Sequence, residues 1–346
     1  MVISGDRTVI IGLLSLILAC TPANKPAPAP EALALTGRAF GTTWSVKAVG
    51  GEQAKLEAAI DAALKRVDAG MSTWRPDSEL SRFNAAPVGP FVFGEETARV
   101  IRRSMELAAK TDGAFDPTVR PLVKLWGFGS KAASTSPSDE AITATLANIG
   151  YRKLSWASDG ALNKPTAELQ VDLSAIAKGY GVDAVAAAVR KAGARSAMVE
   201  IGGEVVVFGE RPGGGPWRLA VDAPTDDSKV GSRFAAVLGL RNVAMATSGD
   251  YRQFRMEGGR RVSHIIDPRS GQPIGHALAS ATVVAEDCAT ADAMATAIMV
   301  LGPEKGLKAV ESLPGVEALL LVRNGEAWSQ RMSSGMKAHI IASGAY

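Results

Sequence analysis

Apolar positions along this chain change period from segment to segment. From Ala54 to Met71, Leu56, Ile60, Leu64 and Val67 recur every three or four residues, which predicts an amphipathic helix. Ala98–Lys110 carries a second such helix. Gly181–Ala192 is an alanine-rich third, and Cys288–Gly302 is helical by composition up to the Gly302-Pro303 stop. Asp139–Ile149 and Lys305–Ser312 read as short helices. Strand patterns fall on Leu33–Val49 (one long strand or a pair), Leu154–Val171 broken at Asp159-Gly160, and Ala197–Glu210 around Gly202-Gly203. Trp217–Asp222, Phe234–Ala246 and Ala279–Ala285 continue the series. Hairpin turns are expected at Gly258-Gly259 within Gln253–Ile266 and at Asn324-Gly325, between Glu317–Val322 and Glu326–Ser329. Hairpins outnumber strand–helix–strand alternations. The pattern therefore predicts an α+β protein with mixed, largely antiparallel sheets and flanking helices. No G-x-G-x-x-G follows a strand, so a Rossmann site is not supported.

Composition narrows the picture. The chain has 346 residues, 47% apolar and 21% charged, with a net charge of +3. It holds no basic run and no aromatic-interleaved patch, which argues against a nucleic-acid partner. The first residues read as a leader outside the fold. Arg7 precedes the apolar run Val9–Leu18, which is shorter than the ~20 residues of a membrane span. Ile17-Leu18-Ala19-Cys20 is similar to the lipobox of bacterial lipoproteins. That resemblance implies a signal peptide over 1–19, cleavage before Cys20 and lipidation of its thiol; a plain secretory signal is the other reading. Residues 20–32 would then be a lipidated cysteine and a Pro/Ala-rich tether reaching ~30 Å, followed by one domain over 33–346. The second of the two cysteines, Cys288, is expected as a buried small residue at a helix start, with no disulfide.

Four segments carry candidate chemistry. Glu168–Val185 reads as strand, acidic bend at Asp172 and helix start, with Ser174 as N-cap candidate and Lys178 adding positive charge for an anion. Thr111–Val119, T-D-G-A-F-D-P-T-V, holds Asp116 in extended backbone before Pro117. Val262–Pro273 repeats the Asp-Pro pair and contains His264, one of three histidines. In Cys288–Gly302, Asp292 and Thr296 share a helical face. Their oxygens suit Mg²⁺; a polar strip on a buried helix is the alternative.

Together with G-T-T-W (Gly41–Trp44), M-S-T-W-R-P-D-S-E-L-S-R-F-N (Met71–Asn84), P-L-V-K-L-W-G-F-G (Pro121–Gly129), I-G-G-E (Ile201–Glu204) and A-T-S-G-D-Y (Ala246–Tyr251), these segments resemble the ApbE family in its own order. The resemblance covers nearly the whole chain after the leader. It implies an ApbE-like fold and Mg²⁺-dependent transfer of FMN from the substrate FAD to a threonine hydroxyl of an acceptor protein, releasing AMP. It implies FAD contacts at Phe40, Trp74, Ala114, Phe115, Asp116, Asp172 and Ile266, with Trp74 as the platform for the flavin ring, and Lys178 at the helix start is expected to add positive potential for the cofactor's phosphates. Asp292, Thr296 and the Ala175 carbonyl would hold Mg²⁺. His264 is the candidate general base, with Asp250 and Asp267 as weaker alternatives. Some family members carry a second Asp three residues after the Asp292 position, where this chain has Ala295. Acceptors of family members include subunits of membrane redox complexes, which suits a lipid anchor on the periplasmic side of a bacterial membrane. An FAD pyrophosphatase using water as acceptor, and a non-catalytic flavin-binding accessory lipoprotein, are the competing readings.

Overall fold

The computed structural model describes residues 32–128, 136–224, 233–250, 254–257, 259–325 and 327–344. The leader, Cys20 and nearly all of the tether lie outside them, as do Tyr251 and Gly258. The first half of the chain runs β1 (Leu33–Ala39), β2 (Thr42–Val49), α1 (Gln53–Met71), α2 (Glu79–Ala85), β3 (Gly89–Phe91), α3 (Glu95–Lys110), α4 (Arg120–Leu125), α5 (Asp139–Leu146), β4 (Ser155–Trp156), β5 (Leu162–Lys164) and α6 (Ala177–Lys191). It continues through β6 (Ser196–Ile201), β7 (Glu204–Phe208), β8 (Trp217–Asp222), β9 (Phe234–Leu240), β10 (Val243–Gly249), β11 (Phe254–Glu257), β12 (Arg260–Ser263) and β13 (Leu278–Ala285). The last elements are α7 (Cys288–Glu311), β14 (Glu317–Asn324), β15 (Ala327–Met332) and β16 (Ile340–Ser343).

The central sheet has eight strands in the order β1-β2-β6-β7-β10-β13-β14-β15. Every neighbouring pair in it is antiparallel. Both faces of its middle are covered. Along β14, Leu319 and Leu321 point to a smaller sheet (β16-β9-β8), where they meet Leu238 and Trp217. Ala318, Leu320 and Val322 point the other way, toward α7. Period-two alternation thus becomes a continuous apolar run, because each face has its own core. α6 and α7 lie together over β6, β7, β10 and β13, with α1 packed on α6. The expected α+β class and antiparallel sheets are therefore observed.

Several local expectations change. Leu33–Val49 is a hairpin whose turn residues, Phe40 (φ 53) and Gly41 (φ 76), both take left-handed backbone. Phe234–Ala246 is two strands in different sheets, broken at Arg241-Asn242, where Asn242 has φ 52. Apolar residues flank that break on both sides, so hydropathy alone reads through it. Ser174 does not cap α6: its N–H and hydroxyl both donate to Asp172 Oδ1, and the helix begins after Ile176. The stop expected at Gly302-Pro303 is observed: within α7 the backbone leaves helical geometry at Gly302 (φ 78), and a second helix follows from Pro303 across a kink.

Candidate functional site

The two central helices begin side by side and cap each other. Gly179, in the first turn of α6, donates its N–H to Asp292 Oδ2 of α7 at 3.0 Å. Asp183 of α6 accepts the N–H groups of Cys288 (2.8 Å) and Ala289 (2.9 Å) at the start of α7. Each helix so satisfies orphan donors of the other with a carboxylate, the charge a helix N-terminus favours. Glycine is required at 179, since a Cβ there would sit 2.3 Å from the Cys288 carbonyl oxygen. Cys288 is buried beneath this junction, as expected, and burial pushes its thiol up.

These helix starts open into a cavity of about 950 Å³. The residues expected to contact FAD or Mg²⁺, and His264, all line it. Phe40 and Trp74 belong to the β1–β2 turn and the α1–α2 loop, and the Trp74 ring is 78% exposed. Ala114, Phe115 and Asp116 follow α3. Asp172, Ala175 and Lys178 form the approach to α6, and His264 and Ile266 follow β12. Asp292 and Thr296 come from one face of α7. Two distant motifs are joined directly, because the Asp172 N–H donates to the Pro117 carbonyl at 2.7 Å.

Within this lining the carboxylates divide into holders and free charge. Asp116 accepts the Thr118 N–H (2.8 Å) and hydroxyl (2.6 Å) on one oxygen and the Tyr151 N–H (2.9 Å) on the other. Burial raises it above the usual carboxylate range, against those donors. Its carboxylate therefore shapes the loop. Asp172 holds Ser174 and lies 3.4 Å from Arg120. Lys178 sits between two carboxylates, 2.5 Å from Glu204 Oε1 and 4.0 Å from Asp292 Oδ1. Burial opposes its charge, but Asp292 and Glu204 outweigh burial and hold the ammonium protonated. Burial, then Asp292, push Glu204 up to about 7 against the pull of Lys178. Burial likewise raises Asp292, with Lys178 and the Gly179 N–H opposing.

The donor set fits a small hard cation. Among the described residues no three His, Cys, Asp or Glu side chains converge as a closed metal cage. The cavity instead offers the Asp292 carboxylate and the Thr296 hydroxyl, an open set that leaves positions for substrate oxygens. Thr296 is oriented by Ser248, hydroxyl to hydroxyl at 3.2 Å.

His264 lines the cavity with its ring edge-on to Phe128 at 6.4 Å. The two alternative bases are each held in an ion pair. Asp250 is held by both terminal nitrogens of Arg323, at 2.6 and 3.0 Å, and Asp267 by Nε and one terminal nitrogen of Arg269, at 2.9 and 2.8 Å. Neither lines the cavity. Ala295 is fully buried in the apolar core and also lies off the cavity.

Sequence reasoning missed three contributors. Arg120 and Lys124, one turn apart on α4, line the cavity near Trp74. Burial, then Arg120, lower Lys124, which donates to Gln170 at 2.7 Å. Their i, i+4 spacing was the available signal. The third is Glu204, visible in I-G-G-E but assigned no role.

Residues 40–320 match the ApbE family, and the chain belongs to that family. It is 37% identical over 344 residues to the FAD:protein FMN transferase of Klebsiella pneumoniae (strain 342), covering 97% of both chains. It is 39% identical over 337 residues to the FAD:protein FMN transferase of Vibrio cholerae (strain O395), covering 96% of this chain and 98% of the relative. The fold matches the crystal structure of the Pseudomonas stutzeri flavinyl transferase ApbE in its apo form with a TM-score of 0.83. That match has 38% identity over 92% of this chain and 100% of the other.

Proposed function

We propose that this chain transfers FMN from FAD to a threonine hydroxyl of an acceptor protein and releases AMP. One observation carries the reading: a single cavity is lined by His264, the half-buried Lys178 ammonium, the Asp292–Thr296 face and the exposed Trp74. At about 950 Å³ it lies near the top of the roughly 300–1,000 Å³ range of ligand sites, which suits a dinucleotide.

In this reading Trp74 supports the flat isoalloxazine ring, and Phe40, Ala114, Phe115, Asp116, Asp172 and Ile266 form the walls around FAD. Lys178 and the first turn of α6 direct positive potential at the pyrophosphate, and Arg120 and Lys124 add to it. His264 takes the proton of the threonine hydroxyl. That oxygen bonds to the phosphorus nearer riboflavin, the bridging P–O bond breaks, and AMP carries the electron pair away. Asp292, Thr296 and the Ala175 carbonyl would hold Mg²⁺. When bound it neutralises pyrophosphate charge, the main demand of phosphoryl transfer.

The same proposal extends to location. Residues 1–19 are a lipoprotein signal, Cys20 is the lipidated residue, and 20–32 tether the domain over 33–346 to the periplasmic side of a bacterial membrane. The apolar run before Cys20 and the Pro/Ala-rich stretch after it support this. Among the described residues no helix is long and apolar enough to cross a membrane. The acceptor is then a redox-complex subunit within reach of the tether.

The test is incubation with FAD, Mg²⁺ and a candidate acceptor, read by acceptor mass. A gain of one FMN is expected. Free FMN and AMP beside unmodified acceptor would overturn the transfer in favour of hydrolysis.

A further inference from the structure

Glu204 opens β7 directly after the Gly202-Gly203 turn and lines the cavity at 3% exposure. Its Oε1 takes the Lys178 ammonium at 2.5 Å. Its Oε2 is buried and has no protein donor. Orienting Lys178 requires only one carboxylate oxygen, so the second is unexplained by that role. A buried anionic oxygen without a partner is costly, and such exceptions in native folds point to a ligand.

Charge counting leads to the same place. Glu204 and Asp292 are two carboxyl groups around one ammonium, so with both ionised one negative charge is in excess in a buried corner. The Thr296 hydroxyl lines the same cavity. The excess faces the cavity and not the core, where Ala295 is packed.

We propose that Glu204 is a second anionic member of the cation subsite, so that one divalent cation is held between carboxylates from β7 and α7. This rests on the reading of Asp292 and Thr296 as cation ligands. It replaces the helix-borne second carboxylate that Ala295 cannot supply with one from a strand. A hard divalent cation balances the excess charge and gives Oε2 its partner.

The test uses Mn²⁺ alone as the probe, on the whole protein without FAD, with binding followed by electron paramagnetic resonance of the free ion and by the rise in Tm. Glu204→Gln should weaken Mn²⁺ binding roughly tenfold or more and shrink the Tm rise. Asp292→Asn should also weaken it. If Asp292→Asn weakens binding and Glu204→Gln leaves it at the wild-type value, Glu204 only orients Lys178 and the proposal is overturned while the cation reading stands. If neither variant changes binding, the cation reading itself fails. Lys178→Met is an independent arm should the glutamine variant not fold. Removing the ammonium frees Glu204 Oε1 and should tighten Mn²⁺ binding; unchanged or weaker binding overturns the proposal.

Discussion

Two lysines are drawn into this protein, and they are held in opposite ways. Lys164, at the end of β5, is 2% exposed. Its ammonium donates to the carbonyls of Phe83 (3.2 Å), Asn84 (2.9 Å) and Ala86 (2.8 Å), at the C-terminal end of α2. Three donors meet three acceptors, and the helix dipole favours the charge there. Lys178 meets two carboxylates, and Glu204 Oε2 is left over. The first arrangement is complete without a ligand and serves the scaffold. The second leaves a carboxylate oxygen without a protein donor at the cavity, where the proposed cation would complete it. A buried charge thus marks a functional site by the imbalance around it, not by its burial.

The comparison is sharpened most by separating charge from proton transfer inside the cavity. His264→Ala should keep FAD affinity within a few-fold while transfer falls ~10²–10⁴-fold, the range for losing a general base. Binding titrations beside acceptor mass spectrometry check this. Affinity lost in step with activity would make His264 a binding residue. Next come the lysines themselves. Lys178→Met strips the partner from two buried carboxylates and should cost roughly 3–5 kcal/mol at neutral pH. Lys164→Met leaves three carbonyls without their donor and should cost about 2–3 kcal/mol. Millimolar Mg²⁺ should restore much of the stability of the first and none of the second. Equal responses to Mg²⁺ in denaturant melts would break the distinction.

Much of this was legible in the sequence where the signal was local. Asp292 and Thr296 are one turn apart, so their shared face follows from helix geometry, and both line the cavity. The β14–β15 hairpin follows from Asn324-Gly325. What escaped depends on a competing neighbour or on partners far along the chain. Ser174 is a good cap by type, but Asp172, two residues away, captures its hydroxyl first. Glu204 gains meaning only because β7 brings it to α6 and α7. The capping of each central helix by the other likewise depends on a glycine at 179 that lets them meet.

A charge placed with neither arrangement tests the same rule from outside. Ala295→Asp, one turn along α7 from Asp292, would put a carboxyl group among apolar core neighbours. Unpaired and overpacked, it should cost roughly 2 kcal/mol or more and leave the Mg²⁺ dependence of transfer unchanged. A stabilised or more tightly Mg²⁺-bound variant would mean that position 295 reaches the cavity after all.

Asp183 gives the most graded test, because it is a buried carboxylate with hydrogen bonds but no lysine. Burial pushes it up to about 7, against the Cys288 and Ala289 N–H groups it accepts, with Asp287 and Asp292 adding to the rise. The folded state therefore binds its proton more tightly than the unfolded chain, where the group titrates near the ordinary carboxylate value of about 4. The sign follows: its contribution is fully present below about pH 4 and is lost as pH rises toward about 7. Asp183→Asn keeps one acceptor oxygen for the start of α7 and has no proton to lose. Urea melts across this range should show wild type losing stability relative to the variant by up to ~1.4 kcal/mol per pH unit, with the difference levelling off above about pH 7. Groups shared by both proteins cancel in that difference. A flat difference would mean that the two N–H groups already balance the buried charge, which would place Asp183 with Lys164 among the completed sites.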